Sequence, residues 1–233
     1  MVYGWMRPVV ASEGTRCALC SQGCSDLGLC PGCLADLPYQ GAACTRCAIP
    51  LSTDGICGHC LEASPPYEEA VAIFDYRDPA GAMIRRLKFD GHLAYARTLG
   101  IIMAIEIERR RIRLPQVILP VPLHPRRLAG RGFNQAVELA RPLAARFGIP
   151  LDRSSCLRTR ATAEQTGLKA EERRRNVRQA FSVSSALSGA DVVLIDDVMT
   201  TGSTLEALAL ALRRAGAKRV AVWVCARAAA IRG

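Results

Sequence analysis

Residues 192–204 read Val192-Val-Leu-Ile-Asp-Asp-Val-Met-Thr-Thr-Gly-Ser-Thr204. Val192–Ile195 is a continuous apolar run, the pattern of a strand buried on both faces of a sheet. Two acids and a small polar loop follow. Leu205–Ala215, rich in Ala and Leu, predicts a helix that Gly216 ends. Val220–Val224 predicts a further buried strand. Strand, loop, helix and strand in this order form the unit of a parallel α/β sheet.

Ligands of such sheets sit at the carboxyl ends of the strands. Asp196 and Asp197 are placed there. Thr200, Thr201, Ser203 and Thr204 add hydroxyls, and the loop opens a helix N-terminus, where backbone amides point at an anion. Gly202 lets a ligand approach the backbone closely. The loop contains no lysine, so it is not a Walker loop. Hydroxyls and amides suit a phosphate, whereas two adjacent carboxylates would repel one and suit a diol. A phosphorylated sugar presents both groups. Each residue alone would also fit an acidic strand end followed by a Ser/Thr helix cap.

Upstream, residues 117–135 read Val-Ile-Leu-Pro-Val-Pro-Leu-His-Pro-Arg-Arg-Leu-Ala-Gly-Arg-Gly-Phe-Asn-Gln. A buried strand ends in prolines and runs into a basic, glycine-bearing loop, and residues 135–147 predict a helix. A second basic stretch runs from Arg158 through Thr162 and Gln165 to Arg173 and Asn176. It is polar and lacks a clean period, which predicts a mobile segment. Arginine forks match phosphate oxygens. A solvated surface accounts for Arg109–Arg113 and Arg213–Arg214, but not for the placed glycines and prolines around Arg126 and Arg131.

Near the other end stand Cys17-x-x-Cys20, Cys30-x-x-Cys33, Cys44-x-x-Cys47 and Cys57-x-x-Cys60. Moving the first four by 27 positions gives the second four, so one small unit is duplicated. Two CxxC knuckles supply the four thiolates of a tetrahedral site, and a unit this short needs the metal for stability. All-thiolate sets suit zinc or an iron–sulfur cluster. The regular, ribbon-like spacing favours zinc, with two structural sites paired within each repeat. Cys24 has no counterpart in the second copy and reads as a bystander. His59 lies inside a knuckle already satisfied by cysteines. Cys156 and Cys225 read as small buried apolar residues.

The 233 residues carry a net charge of +10 and eleven cysteines, with 50% hydrophobic and 22% charged residues. This composition is globular. No run of about 18 apolar residues is present to span a membrane, and the start lacks a signal-peptide core. The expectation is a cytoplasmic protein, where eleven cysteines favour metal over disulfides. Residues 1–66 hold three arginines and five acids, whereas residues 121–181 hold thirteen basic and five acidic side chains. Charge and cysteine distribution, with the break at Ser64-Pro65-Pro66, predict units at 1–66 and 67–233.

The 192–204 string resembles the phosphoribosyl pyrophosphate (PRPP) signature of type I phosphoribosyltransferases. Together with Pro-Val-Pro-Leu, Arg-Gly-Phe-Asn-Gln, Gln-Thr-Gly-Leu, Lys88-Phe89 and the cysteine-rich head, the chain resembles the competence-associated ComF family over nearly its whole length. The resemblance implies a type I phosphoribosyltransferase fold, a parallel sheet flanked by helices, behind a double zinc ribbon. It implies that Asp196 and Asp197 hold the ribose hydroxyls and that Thr200, Thr201, Gly202, Ser203 and Thr204 cradle the 5-phosphate. Val121, Pro122, Leu123, His124 and Arg126, with Arg131, would form the pyrophosphate loop. Arg158, Thr162, Gln165, Arg173 and Asn176 would lie on a flexible loop closing over PRPP, with Mg²⁺ as its companion ion.

The acceptor half is not visible. Little chain follows the last predicted strand, so an acceptor-recognising hood is expected from 67–115 or from the cysteine-rich unit. No catalytic residue is assigned. Two functions fit: phosphoribosyl transfer to an unidentified acceptor in connection with DNA uptake, and a non-catalytic, PRPP-sensing factor that handles single-stranded DNA in natural transformation. The second implies single-stranded DNA and other competence proteins as partners.

Overall fold

The computed structural model describes residues 16–24, 26–159 and 180–228. In chain order, short helices α1 (Pro31–Ala35) and α2 (Gly58–Glu62) lie in the cysteine-rich segment. Strand β1 (Glu69–Asp75) is followed by helices α3 (Ala80–Asp90) and α4 (Leu93–Arg109). Strand β2 (Val117–Pro120) leads to helices α5 (Pro125–Arg131) and α6 (Gln135–Phe147). Strands β3 (Cys156–Arg158) and β4 (Phe181–Val183) precede β5 (Asp191–Met199), helix α7 (Ser203–Arg214) and β6 (Arg219–Arg227).

The main sheet has the order β1-β6-β5-β2, and every pair in it is parallel. Its side chains alternate between two cores, as the two-residue period of a strand requires. Val193, Ile195, Ala221, Trp223 and Cys225 face α3, α4 and α6. Val192, Leu194, Val220, Val222 and Val224 face α7 and the β3–β4 hairpin. With both faces covered, the strands read as unbroken apolar runs.

Helices α4 and α6 cross at Gly100. A Cβ there would lie 2.5 Å from the Leu139 carbonyl oxygen and 2.9 Å from Pro142 Cγ. Only glycine permits this approach, and the obstacle is backbone that cannot step aside. Gly100→Ala is expected to cost about 1–3 kcal/mol through overpacking. Urea unfolding should show a lower midpoint with an unchanged slope.

The cysteine-rich segment is packed onto this frame. Leu29 and Leu37 are buried in the same cluster as Met83, Leu99 and Trp223. Tyr95 Oη donates to the Ala18 carbonyl at 3.1 Å, and Thr98 Oγ1 donates to the Leu27 carbonyl at 2.7 Å. The second repeat docks on the sheet edge, where the Ala70 amide donates to the Thr45 carbonyl at 3.0 Å.

Three details depart from expectation. Strands β5 and β6 run past the predicted apolar cores, pairing as far as Met199 with Arg227. The basic stretch after Pro122 is partly a helix: Pro125 sits at its start, His124 caps it by accepting from the Arg126 amide, and Gly132 ends it at φ 80°. Arg110, expected on a solvated surface, is an internal tie, pairing with Glu106 and donating to the Ala72 and Gln40 carbonyls.

Candidate functional site

Strand β2 stops at Pro120 opposite Ile195, so residues 196–199 of β5 pair with β6 alone. The free edge opens a shallow cleft at the carboxyl end of the sheet, lined by residue 196 and residues 198–205. The structure thus brings Asp196 and the predicted phosphate loop to one place, while Asp197 is buried next to it and outside the lining. Gly202 has φ 84° and precedes α7. The positive φ calls for glycine, whereas Met199 Cε, 3.1 Å from a Cβ there, is the end of a flexible side chain. Thr201 Oγ1 lies 3.1 Å from Ser203 Oγ, and both residues are exposed to the cleft side of the helix start. The amides there are directed at whatever anion the cleft receives.

Asp196 and Asp197 each hold the backbone of the residue that follows. The Asp197 amide donates to Asp196 Oδ1 at 2.9 Å, and the Val198 amide donates to Asp197 Oδ1 at 2.8 Å. Asp197 is only 3% exposed, and Lys88 Nζ reaches its Oδ2 at 2.7 Å. Burial, then the neighbouring Asp197 charge, pushes the Asp196 carboxyl up to about 8. Two crowded carboxylates with one ammonium for a partner form a site short of positive charge. That donor set fits Mg²⁺, a hard cation bound by oxygen.

Lys88 is the residue whose role the sequence did not disclose. It stands only in the Lys-Phe pair of the family resemblance. One signal was available: it is one of three lysines among 31 basic residues. Lysine gives a compact point charge where an arginine fork would need more room.

The basic wall is assembled in part. Val121 is buried with its amide on the Ile195 carbonyl at 2.9 Å, which brings the start of the Val121–Arg126 segment against β5. Arg126 and Arg127 are exposed on α5. Arg131 is turned toward the start of α6, where it donates to Gln135 Oε1 at 2.6 Å. Arg158 stacks over Phe181 at 5.6 Å. Burial lowers its pKa first, then the Arg127 charge, while Asp196 opposes them. Arg127, not singled out from the sequence, therefore lies near enough to Arg158 for its charge to act on it. Thr162, Gln165, Arg173 and Asn176 lie outside the described residues.

The eight repeat cysteines form two clusters, Cys17, Cys20, Cys30, Cys33 and Cys44, Cys47, Cys57, Cys60, each with all sulfurs within 4.8 Å of one another. Cys20 and Cys30 sulfurs are 3.6 Å apart, and those of Cys47 and Cys57 are 3.7 Å apart. A tetrahedral zinc with bonds of about 2.3 Å sets its sulfurs about 3.8 Å apart, so both clusters fit zinc and neither is disulfide-bonded. The Cys57 amide donates to Cys44 Sγ at 3.3 Å, a contact that steadies a thiolate. Burial opposes ionisation of Cys17 and Cys44, but backbone hydrogen bonds outweigh it and bring them down to about 6 and about 7. Cys24 stands outside both clusters, His59 is exposed, and Cys156 and Cys225 are buried.

Residues 14–61 match the double zinc ribbon domain family, and residues 133–232 match the phosphoribosyl transferase domain family. A DNA utilization protein YhgH of Escherichia coli O157:H7 is 37% identical over 225 residues, 94% of this chain and 93% of its own. Competence protein F of Haemophilus influenzae is 36% identical over 211 residues, 86% of this chain and 91% of its own. Among solved structures, a purine phosphoribosyltransferase from Pyrococcus horikoshii shares 17% identity and a TM-score of 0.34, over 68% of this chain and 87% of its own. No helix among the described residues is long and apolar enough to cross a membrane. A parallel sheet with a phosphate-type loop, two four-cysteine clusters ahead of it and relatives matched along almost their full length lead to one conclusion: this chain belongs to the ComF family.

Proposed function

We propose that this chain binds PRPP with Mg²⁺ at the carboxyl end of β5 and transfers its phosphoribosyl group to an acceptor in connection with DNA uptake. Residues 67–233 would form the PRPP-binding unit and residues 1–66 the metal-binding unit. The observation that carries this reading is the adjacency of Asp196 to the Gly202 helix start within one cleft, with Asp197 next to it on β5. The helix start takes the 5-phosphate, and the acids take the ribose hydroxyls. Arg126, Arg127 and Arg158 supply positive charge on the pyrophosphate side. Bound Mg²⁺ would neutralise charge between pyrophosphate and ribose oxygens, and Asp196 and Asp197 are the residues that would hold it. Lys88 pairs with Asp197 and fixes its position until then. The chain's contribution is to orient PRPP and stabilise charge as pyrophosphate leaves.

PRPP with Mg²⁺ should raise the melting temperature, by an amount set by its concentration relative to Kd. Absence of any shift would end this reading. Pyrophosphate release with a panel of nucleobases and with single-stranded DNA then separates two roles. Release well above the background of PRPP hydrolysis indicates transfer. DNA binding without release indicates a non-catalytic, PRPP-sensing factor, a role in keeping with the names of the relatives, which concern competence and DNA utilization. The basic excess on the larger unit is suited to a phosphate backbone as well as to PRPP.

A further inference from the structure

The two cysteine clusters are anchored in different places. Backbone carbonyls of the first repeat, at Ala18, Asp26 and Leu27, accept from Tyr95, Arg97 and Thr98, all on α4. The second repeat is tied to the phosphate loop. Arg227, the last residue of β6 and 5% exposed, donates from Nε to the carbonyl of Cys47 at 3.0 Å. Its guanidinium also donates to the carbonyls of Met199 at 3.0 Å, Thr200, and Ala228 at 2.6 Å. One fork therefore holds a ligand residue of the second cluster, the last residue of β5 and the first residue of the loop.

Tyr67 makes a second contact across the same seam. It is 2% exposed, and its Oη lies 3.7 Å from the position of a Cβ on Gly202. It is buried in one cluster with Ala48, the residue after Cys47, and burial first, then the charges of Glu206, Cys47 and Cys60, raise its pKa.

A buried guanidinium must keep its donors satisfied. Among its described partners all four acceptors are backbone carbonyls, so it can hold them only while they converge. If the second knuckle loses its metal, the Cys47 carbonyl is free to move. Arg227 Nε then loses its acceptor, and the guanidinium that also holds Met199 and Thr200 is no longer pinned at that end.

We propose that the second cysteine cluster, and not the first, controls the phosphate loop, with Arg227 as the positioning residue that links zinc at Cys44, Cys47, Cys57 and Cys60 to ligand binding at Thr200–Thr204. The ligand half of this inference rests on the PRPP reading above. Coupling between two binding sites is reciprocal. PRPP should therefore protect one zinc of the two.

The experiment uses the full chain loaded with zinc and follows metal transfer to a chromogenic chelator with and without saturating PRPP and Mg²⁺. Release of one zinc should slow by about fivefold or more, the lower range of typical coupling, while the other is unchanged. Cys30→Ser, which disables the first site, should keep the protection. Cys57→Ser should lose it. Arg227→Gln and Arg227→Lys should both retain two zinc ions yet lose the protection, because neither offers the fork.

Amide hydrogen exchange of residues 199–204 provides a readout that needs no ligand. It should rise in Cys57→Ser and in Arg227→Gln and stay at the parent level in Cys30→Ser. PRPP binding without protection of either zinc, equal protection of both, or unchanged exchange in Cys57→Ser would overturn the coupling. Failure of the parent to bind PRPP would remove the PRPP reading, and the exchange data would still decide whether the cluster governs the loop. Should Cys57→Ser not fold, exchange in Cys30→Ser, whose remaining zinc sits in the second cluster, read before and after chelation gives the same decision.

Discussion

Asp196→Asn with Asp197→Asn is expected to abolish the PRPP thermal shift and to raise the melting temperature of the ligand-free protein. The loss follows from what the acids would hold. Each charge-assisted hydrogen bond is worth about 1.5–3 kcal/mol, so removing two should weaken binding roughly 100-fold or more. The gain follows from crowding. Asp196 lies beside the buried Asp197 charge, and one ammonium, Lys88, serves both. Neutral amides keep the shape and remove the repulsion. A gain of about 1 kcal/mol would appear as roughly 2–4 °C in a chain of this size. Its pH dependence has a definite sign. A carboxyl raised to about 8 in the folded state keeps a proton that the unfolded chain gives up near pH 4. Native stability from this group is therefore full below about pH 4 and is lost as pH rises towards about 8. Asparagine has no such loss, so the variant's advantage should widen across that window. Differential scanning fluorimetry at several pH values checks both parts. A variant that still shifts with PRPP, or that melts lower at every pH, would contradict the assignment of these acids.

Site acids that destabilise the empty protein explain why the site was legible before the fold was known. A strand covered on both faces leaves no polar option, so Val192–Ile195 is visible as a strand, and the acids directly after it break the pattern for a chemical reason. Gly202 is legible because its φ of 84° suits glycine and few other residues. The duplicated CxxC spacing is legible because ligand geometry is local. What could not be read depends on chain segments far apart. Lys88 meets Asp197 only because α3 ends above the carboxyl edge of β5. Arg227 meets Cys47 across 180 positions, and nothing in either neighbourhood announces the other. The β3–β4 hairpin is hidden for a different reason. Its strands are three residues each, and Leu157 is 61% exposed, so neither length nor alternation marks them. The helix α5 was hidden by its basic composition, although Pro125 and Gly132, its start and stop, were both in view.

Removing both zinc ions should destabilise the whole chain, not the cysteine-rich segment alone. A structural four-thiolate site contributes about 10–16 kcal/mol of apparent binding energy in isolated zinc-finger peptides, energy that is also folding energy. A free-standing ribbon would unfold by itself and leave the sheet intact. Here the ribbon is part of the core. Cys17, Leu29, Cys30 and Leu37 are buried in one cluster with Met83, Leu99, Met103 and Trp223. Releasing them strips apolar cover from α3 and α4, at roughly 25 cal/mol for each Å² of surface exposed. The second repeat adds Ala48 to the other core and withdraws two partners of the frame, the Thr45 carbonyl from Ala70 and the Cys47 carbonyl from Arg227. The expected outcome is about two zinc ions per chain by elemental analysis, and one cooperative melting transition that falls by 10 °C or so, or more, on chelation, since several kcal/mol are lost at roughly 2–4 °C each. Zinc added back should restore it, as binding that is linked to folding is reversible. Two separate transitions, with the upper one indifferent to chelator, would show that the cysteine-rich segment and the sheet fold apart, and that the shared core contributes nothing to the stability of either.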